Sequence, residues 1–181
     1  MKVLIDACVL YPTVMREVVL GVAGEGVFEP LWSARILEEW ARASAKLGPA
    51  QEVFARSEIA LLKARWPKSS VIPRAGDLAR LYLPDENDVH VLAAAIAGSA
   101  DVLLTMNNAD FPRATLAEEG VRRESPDMFL RALYDTHPDA VAKVAQAVRD
   151  EAQRLSGEAW PMRKLMKKAR LPRLGKLLAD D

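Results

Sequence analysis

Residues 84–105 read PDENDVHVLAAAIAGSADVLLT, an acidic entry followed by two apolar segments. The first segment, 89–97, is apolar nearly all round, which is typical of a helix packed on several sides. Gly98 ends it, and 100–105 is a short apolar run of the kind found in strands buried on both faces. A helix that leads into a buried strand is the repeating unit of an α/β protein. This stretch therefore predicts an α/β fold.

The chain on either side, up to residue 124, repeats this alternation. Short apolar runs predict further strands at 3–5, 28–32 and 120–124. Helical spacing and its stop signals predict helices over 14–22, 33–47 and 50–65. The segment 71–83 is ambiguous and is interpreted as a loop with a short helix. We expect a small, mainly parallel sheet flanked by helices.

After residue 124 the strand signals stop. Proline stands where three helices would begin, at Pro126, Pro138 and Pro161. We therefore interpret the chain as one domain over 1–124 followed by a helical C-terminal extension over 125–181.

The extension carries a basic segment. Residues 160–179 contain no acid and seven basic side chains: Arg163, Lys164, Lys167, Lys168, Arg170, Arg173 and Lys176. They form either the solvated face of a small amphipathic helix pair or a surface that contacts phosphate. In the first case the inward residues are Leu165, Met166, Leu171, Leu174 and Leu177.

Composition excludes several classes of protein. Half of the 181 residues are hydrophobic, and 25 Lys plus Arg balance 25 Asp plus Glu, so bulk charge indicates neither a nucleic acid nor a membrane partner. The single cysteine, Cys8, excludes an intrachain disulfide and suits a reducing compartment. The first twelve residues are too short and too soon interrupted by an acid for a signal peptide, and no apolar run approaches the roughly 18 residues of a membrane span. We expect a cytoplasmic protein with no membrane partner.

Three acids stand where parallel strands present their ligand-binding edge. Asp6 ends the first strand, Asp110 lies just past the strand at 100–105, and Asp88 begins the helix that feeds that strand. Each also has an ordinary structural explanation. Asp6 suits an Asx turn, Asp85 suits an N-cap with Asp88 in the first helical turn, and Asp110 suits a turn before Pro112.

A fourth acid is distinguished from its neighbour by helical spacing. Ile36, Trp40 and the positions in phase with them define the buried face of the helix over 33–47. Glu39 lies at the border of that face, whereas Glu38 points away into solvent. The alternative is that Glu39 is a border residue paired with Arg42 or another basic group.

Carboxylates that converge need a counter-charge, because like charges a few ångströms apart raise one another's pKa. A hard divalent cation such as Mg²⁺ is held by a few carboxylates and supports hydrolysis of phosphodiesters. With His90 and His137 as the only histidines and one cysteine, no structural zinc set is available. Phosphate-binding glycine loops and serine-nucleophile motifs are also missing from the sequence.

Three segments resemble the acidic motifs of the PIN domain, the metal-dependent nuclease fold of VapC-type toxins and their relatives. They are VLIDACVLYP (3–12), WSARILEEW (32–40) and LPDENDVHVLAAAIAGSADVLLTMNNADFP (83–112). SPDMFLRALYDTHPDAV (125–141) is similar to the extension of one bacterial subgroup. The resemblance implies a PIN-like three-layer fold and cleavage of RNA that depends on Mg²⁺ or Mn²⁺. It also implies a homodimer and, for a toxin, an antitoxin protein as partner.

The resemblance assigns the catalytic and metal-binding roles to Asp6, Glu39, Asp88 and Asp110. Many family members have Asp where this chain has Asn107, so either the Asn107 carbonyl oxygen or Asp110 is the fourth ligand. Thr105, Asn107 and Asp85 are candidates for supporting roles around the metal. Cys8 stands where Asn is common, and we expect a small buried residue without a redox role there.

Other polar residues receive weaker interpretations. Arg16, Lys167, Lys168 and Arg170 are candidates for contact with RNA or a protein partner, and Arg16 has a structural alternative. His90 points away from the 92–96 face by its spacing, and we expect it not to be catalytic.

The leading hypothesis is an endoribonuclease that cleaves phosphodiester bonds with a metal-activated water, acting as the toxin of a toxin–antitoxin pair. One alternative is a non-catalytic PIN-fold module that binds RNA or protein. A phosphatase with an aspartyl nucleophile is disfavoured, because that chemistry needs a second Asp where Cys8 stands.

Overall fold

The computed structural model describes residues 1–179 and contains a five-stranded, all-parallel sheet in the order β3-β2-β1-β4-β5. The strands are β1 (Lys2–Ile5), β2 (Glu29–Ser33), β3 (Ser70–Val71), β4 (Val102–Leu104) and β5 (Arg122–Glu124). The predicted α/β class with a helix-flanked parallel sheet and C-terminal helices is confirmed. The sheet gains one strand, β3, which begins just before the segment 71–83 interpreted as a loop with a short helix.

Eleven α-helices accompany the sheet within the described residues. They are α1 (Ala7–Leu10), α2 (Thr13–Gly24), α3 (Ala34–Ala45), α4 (Pro49–Arg65), α5 (Ala75–Arg80), α6 (Val89–Ala97), α7 (Arg113–Glu118), α8 (Pro126–Thr136), α9 (Pro138–Ser156), α10 (Met162–Lys168) and α11 (Pro172–Leu177). A 3₁₀ turn, Glu86–Asp88, precedes α6. Helix α3 begins after Ser33, whose hydroxyl accepts the Ile36 N–H at 3.2 Å.

The central strand sets the position of the functional edge. Val3, Leu4 and Ile5 of β1 are fully buried, and β1 pairs in parallel with β2 on one side and β4 on the other. The chain runs from β1 outward to β3 and then returns to β4 across β1. The direction of winding therefore reverses between β1 and β4, and the carboxyl ends of these two strands form the crevice where such sheets bind ligands.

Helix α6 packs closely against the sheet at its last residues. A Cβ on Gly98 would lie 2.8 Å from Leu31 Cδ1 and 3.0 Å from Val71 Cγ1, which is tighter than ordinary contact. Gly98 therefore allows the close approach of α6 to β2 and β3, in addition to ending the helix.

The contacts divide the chain into two compact units. The first contains Met1–Tyr11 and Glu29–Glu124, and the second contains Pro12–Phe28 and the described part of Ser125–Asp181. The division into 1–124 and 125–181 stays a prediction, and the contact-based units differ from it by placing Pro12–Phe28 with the C-terminal helices.

The second unit has its own apolar core. Phe28 and Phe129 pack edge to face with ring centroids 5.2 Å apart. Of the residues predicted to face inward in the basic segment, Leu165, Met166, Leu171 and Leu174 are buried and Leu177 is half-buried. No helix among residues 1–179 has the length and apolar character needed to cross a membrane.

Candidate metal centre

Asp6 lies directly after β1 and is held by groups from the end of β4. Its backbone N–H donates to the Leu104 carbonyl at 3.1 Å. The Thr105 hydroxyl donates to Asp6 Oδ2 at 2.6 Å, and the Cys8 thiol donates to the same oxygen at 3.1 Å. The Asp6 side chain makes no capping hydrogen bond to α1. Side chains at the carboxyl ends of β1 and β4 therefore orient the Asp6 carboxylate. The Asp6 contacts differ from those of an Asx turn.

Cys8 supports this arrangement as a neutral thiol. The Met106 N–H donates to Cys8 Sγ at 3.3 Å. Burial, followed by the charge of Asp6, raises the pKa of Cys8 to about 12. The thiol therefore keeps its proton at neutral pH, in line with the expectation that Cys8 has no redox role.

Three aspartates among residues 1–179 are close enough to one another to hold a metal ion. One carboxylate oxygen from each of Asp85, Asp88 and Asp110 lies within 4.8 Å of the others. Asp85 also caps the 3₁₀ turn, where its Oδ1 accepts the Asn87 N–H at 2.9 Å. Capping was predicted for Asp85 from its place at the helix start, and its candidacy for a supporting role around the metal came from the resemblance, because helical spacing says nothing about a loop 25 residues later.

Asn107 lies between two members of this group. Its side-chain Nδ2 donates to Asp88 Oδ2 at 3.1 Å and to Asp110 Oδ2 at 2.8 Å. Its backbone N–H donates to the Thr105 hydroxyl at 3.0 Å. A single neutral amide therefore spaces two carboxylates and connects them to the end of β4.

The loop that carries Asp110 is fixed by a residue that the sequence did not single out. Nη1 of Arg123, on β5, donates to the carbonyl oxygens of Asn108 at 2.7 Å and Phe111 at 2.8 Å. The Phe111 side chain is fully buried. Arg123 has no recognisable sequence signal, because this contact depends on β5 pairing with β4.

Glu39 lies at the border of α3, as its helical phase predicted, and it is 37% exposed. Arg35 Nε donates to Glu39 Oε1 at 3.2 Å, and His90 Nε2 lies 2.8 Å from the same oxygen. These contacts hold the pKa of Glu39 below its usual range, although burial alone would raise it. Glu38, which points away from Glu39, instead pairs with Arg42 of α3 and with Arg56 of α4. Glu39 thus has the basic partners that the border interpretation requires, and they are Arg35 and His90 instead of Arg42.

Asp88 is the electrostatic centre of the site. Partial burial raises its pKa to about 6, and the charges of four further acids add to this: Asp6, Asp85, Asp110 and Glu39. The structure therefore brings all four acids assigned by the resemblance, together with Asp85, into one electrostatic group around Asp88.

This donor set fits a divalent cation. Its oxygens are carboxylates, the ligands that Mg²⁺ and Mn²⁺ prefer. Like charges destabilise the ionised form of Asp88, and the neutral amide of Asn107 donates a hydrogen bond to it. A cation at this position would relieve the repulsion that raises the Asp88 pKa.

The basic candidates belong to the second unit. Arg16 is 3% exposed, with its Nε 3.6 Å from Glu17 Oε1, and this burial favours its structural alternative. Lys167, Lys168 and Arg170 are exposed. Lys168 Nζ lies 4.7 Å from the centroid of the Trp160 ring.

Comparison with known proteins identifies the family. No curated protein and no solved structure gives a significant match. The model of the PIN domain matches residues 2–109. This segment is more than half of the chain and contains Asp6, Glu39, Asp88 and Asn107. The chain belongs to the PIN domain family.

Proposed function

We propose that this protein is a metal-dependent endoribonuclease that uses Mg²⁺ or Mn²⁺ to cleave RNA. The observation that carries the proposal is the convergence of acids on Asp88, whose pKa is raised to about 6 by partial burial and like charges. PIN domains are generally nucleases and typically use divalent metals. Repulsion between these carboxylates lowers the stability of the folded protein, and a bound metal ion would offset it.

Each residue of the centre has a distinct role in this mechanism. Asp6, Glu39, Asp88 and Asp110 would hold the metal, with Asp85 next to Asp88 and Asp110. The metal supplies activation of water and stabilises negative charge on the phosphodiester. Thr105 orients Asp6 through its 2.6 Å hydrogen bond. Asn107 links Asp88 and Asp110 through its amide, and its carbonyl oxygen is the alternative to Asp110 as the fourth ligand.

Cleavage of RNA by the purified protein tests the proposal. We expect products with a 5′-phosphate and a 3′-hydroxyl in Mn²⁺ or Mg²⁺ and none with chelator. Asp6→Asn should abolish cleavage. Glu38→Gln should retain it, because Glu38, although next to Glu39 on α3, pairs with Arg42 of α3 and Arg56 of α4. Cleavage in chelator, or full activity of Asp6→Asn, would overturn the assignment.

The biological role that we propose is that of a cytoplasmic VapC-type toxin blocked by an antitoxin. It rests on the similarity of the motifs and of the helices over 125–141 to one subgroup. Expression should arrest growth, and Asp88→Ala should relieve the arrest without lowering the amount of protein. Harmless expression of the unmodified chain at a high level would count against this role.

A homodimer is part of the same proposal. Three large apolar side chains on α4 are well exposed: Val53 at 67%, Phe54 at 58% and Leu61 at 67%. Such a patch suits a protein interface. Light scattering should give the mass of two chains, and Phe54→Glu should reduce it to one. The same dimer mass for Phe54→Glu would place the interface elsewhere.

The alternative function is a non-catalytic module that binds RNA or protein. Asn107 favours it, because it stands where many family members have Asp and its amide donates to both Asp88 and Asp110. Calorimetric titration with Mn²⁺ separates the two functions. Binding at millimolar or lower concentration supports the enzyme, and no heat of binding up to about 10 mM supports the module.

A further inference from the structure

Glu39 and Asp88 come from different parts of the first unit. Glu39 lies on α3, and Asp88 immediately precedes α6, 49 positions later in the sequence. Their separation therefore depends on side-chain contacts between α3 and the start of α6. A centre that binds one cation needs this separation to be fixed to within a fraction of an ångström.

Two contacts make this connection. His90, on the first turn of α6 and two residues after Asp88, places Nε2 2.8 Å from Glu39 Oε1. Arg35 donates from Nε to Glu39 at 3.2 Å and from Nη2 to the Asn87 carbonyl oxygen at 3.3 Å. Both side chains thus connect Glu39 to the residues that flank Asp88.

The two contacts converge on one oxygen of Glu39. Arg35 and His90 both approach Oε1, and neither of these contacts involves Oε2. Both ring nitrogens of His90 are buried without an aligned hydrogen-bond partner, and Glu39 Oε1 is the acceptor that lies 2.8 Å from Nε2. Because Oε1 accepts from Arg35 and lies in close contact with His90 Nε2, rotation of the Glu39 carboxylate is restricted.

Burial distinguishes the two partners. The His90 side chain is 4% exposed, whereas Arg35 is 56% exposed and in contact with water. Interactions of an exposed arginine are screened by solvent and salt, and a buried contact is screened much less. His90 is therefore the more effective of the two in fixing Glu39.

We propose that His90 is a positioning residue. It holds Glu39 against the start of α6 so that Glu39 and Asp88 can bind the same divalent cation. The proposal rests on the proposed metal centre. It adds to the expectation drawn from helical spacing: His90 is still not expected to contact the substrate, but it contacts Glu39. The helical phase of His90 does not by itself identify its neighbour, because α6 is apolar nearly all round.

Two substitutions at the same position test the proposal. His90→Leu fills the buried space without a donor, and His90→Gln keeps a donor near the position of Nε2. Arg42→Gln is the matched control, since it removes a partner of the neighbouring Glu38. Mn²⁺ affinity is measured by calorimetry at about pH 8, where Asp88 is ionised. Thermal melting of the metal-free proteins shows that each variant is folded.

We expect His90→Leu to weaken Mn²⁺ binding by about tenfold, in the range found for residues that orient metal ligands. His90→Gln should stay within about threefold of the unmodified protein, and Arg42→Gln should match it. Unchanged Mn²⁺ affinity in His90→Leu would overturn the proposal. An equal loss in the Leu and Gln variants would also overturn it, because the donor would then have no role.

A second measurement does not depend on the metal. Crystal structures of the metal-free protein and of His90→Leu should show Glu39 in one orientation in the former and rotated or in several conformers in the latter. Glu39 in the same single orientation in both would overturn the positioning role. If the unmodified protein binds no Mn²⁺, the proposed function fails instead, and the two failures are thereby distinguished.

Discussion

At the scale of single residues, Asp88 lowers the stability of the folded protein but is required for the proposed metal binding. Its carboxylate is partly buried among four other acids, and Asn107 provides one neutral hydrogen bond to it. A folded protein without metal would be more stable if this group were uncharged. The arrangement is unfavourable for folding alone, and such exceptions concentrate at functional sites.

Replacing Asp88 by a neutral residue of the same shape should reveal this conflict. We expect Asp88→Asn to raise the melting temperature of the metal-free protein by about 2–4 °C near neutral pH, because it removes like-charge repulsion. The same substitution should abolish Mn²⁺ binding in calorimetry. Asp101→Asn, an acid at the other end of β4, serves as a control and should leave Mn²⁺ affinity unchanged. A lower melting temperature for Asp88→Asn would show that the charge is compensated in the folded protein.

The pH dependence of metal binding follows from the same group. The pKa of Asp88 is raised from 3.8 to about 6, so protons compete with the metal below about pH 6. Mn²⁺ affinity should therefore rise steeply between about pH 5 and pH 7 and then level off. A flat profile over this range would show that Asp88 is not a ligand.

The stability of the metal-free protein should change in the opposite direction over that range. Between about pH 4 and pH 6 the folded protein holds a proton on Asp88 that the unfolded chain has released. This contribution to stability is complete below about pH 4 and is lost as the pH rises through about 6. The melting temperatures of the unmodified protein and of Asp88→Asn, measured with chelator over this pH range, give the contribution of the Asp88 proton to stability. A difference between the two proteins that is independent of pH would contradict this linkage.

At the scale of elements, the start and the end of α6 have different functions. Its start carries Asp88 and His90, and its end is Gly98, where α6 approaches β2 and β3 most closely. The position of the acidic group therefore depends on how closely the last turn of α6 packs against the sheet.

A methyl group at the end of α6 should disturb this packing. We expect Gly98→Ala to destabilise the protein by about 1–3 kcal/mol, because the Cβ would lie 2.8 Å from Leu31 and 3.0 Å from Val71. Gly76→Ala, within α5, is the matched control. No atom lies within 4 Å of its Cβ position, and alanine favours the helix by a few tenths of a kcal/mol or more. Urea denaturation of both variants measures the difference. Equal stabilities would mean that Leu31 and Val71 move aside without cost.

The elements that could be predicted from the sequence are those whose periodic apolar pattern matches their buried positions in the fold. Helix α6 and the helical phase of Glu39 were predicted from apolar spacing alone, because a periodic apolar pattern reports which positions are buried. Strand β3 was missed because it has only two residues, Ser70 and Val71, and no apolar run. The contacts of Arg123 were beyond sequence reasoning, since they depend on the pairing of β5 with β4.

At the scale of the whole molecule, an equal number of acids and bases conceals an uneven distribution. The acids converge around Asp88 in the first unit, whereas residues 160–179 of the second unit carry seven basic side chains and no acid. A substrate that carries many phosphates would be repelled by the first group until a metal binds, and would be attracted to the second.

Removing part of the basic segment tests this role. Replacing Lys167, Lys168 and Arg170 together by Gln should weaken the binding of single-stranded RNA. It should also reduce the slope of log Kd against log salt by about 2, since each lost phosphate contact contributes about 0.7. Replacing Lys46, Lys63 and Lys68 of the first unit by Gln removes the same charge and should have a smaller effect. An unchanged salt slope in the first variant would assign the basic segment to the solvated face of its helices.

The raised pKa of the half-buried Cys8 has a practical consequence for experiments on this protein. With a pKa of about 12, only about one thiol in ten thousand is ionised at pH 8, and maleimide and iodoacetamide reagents react with the ionised form. A cysteine introduced at an exposed position can therefore carry a fluorophore or spin label while Cys8 stays unmodified. Distances from such labels to a paramagnetic Mn²⁺ ion would locate the metal in solution without any change to the residues around Asp6.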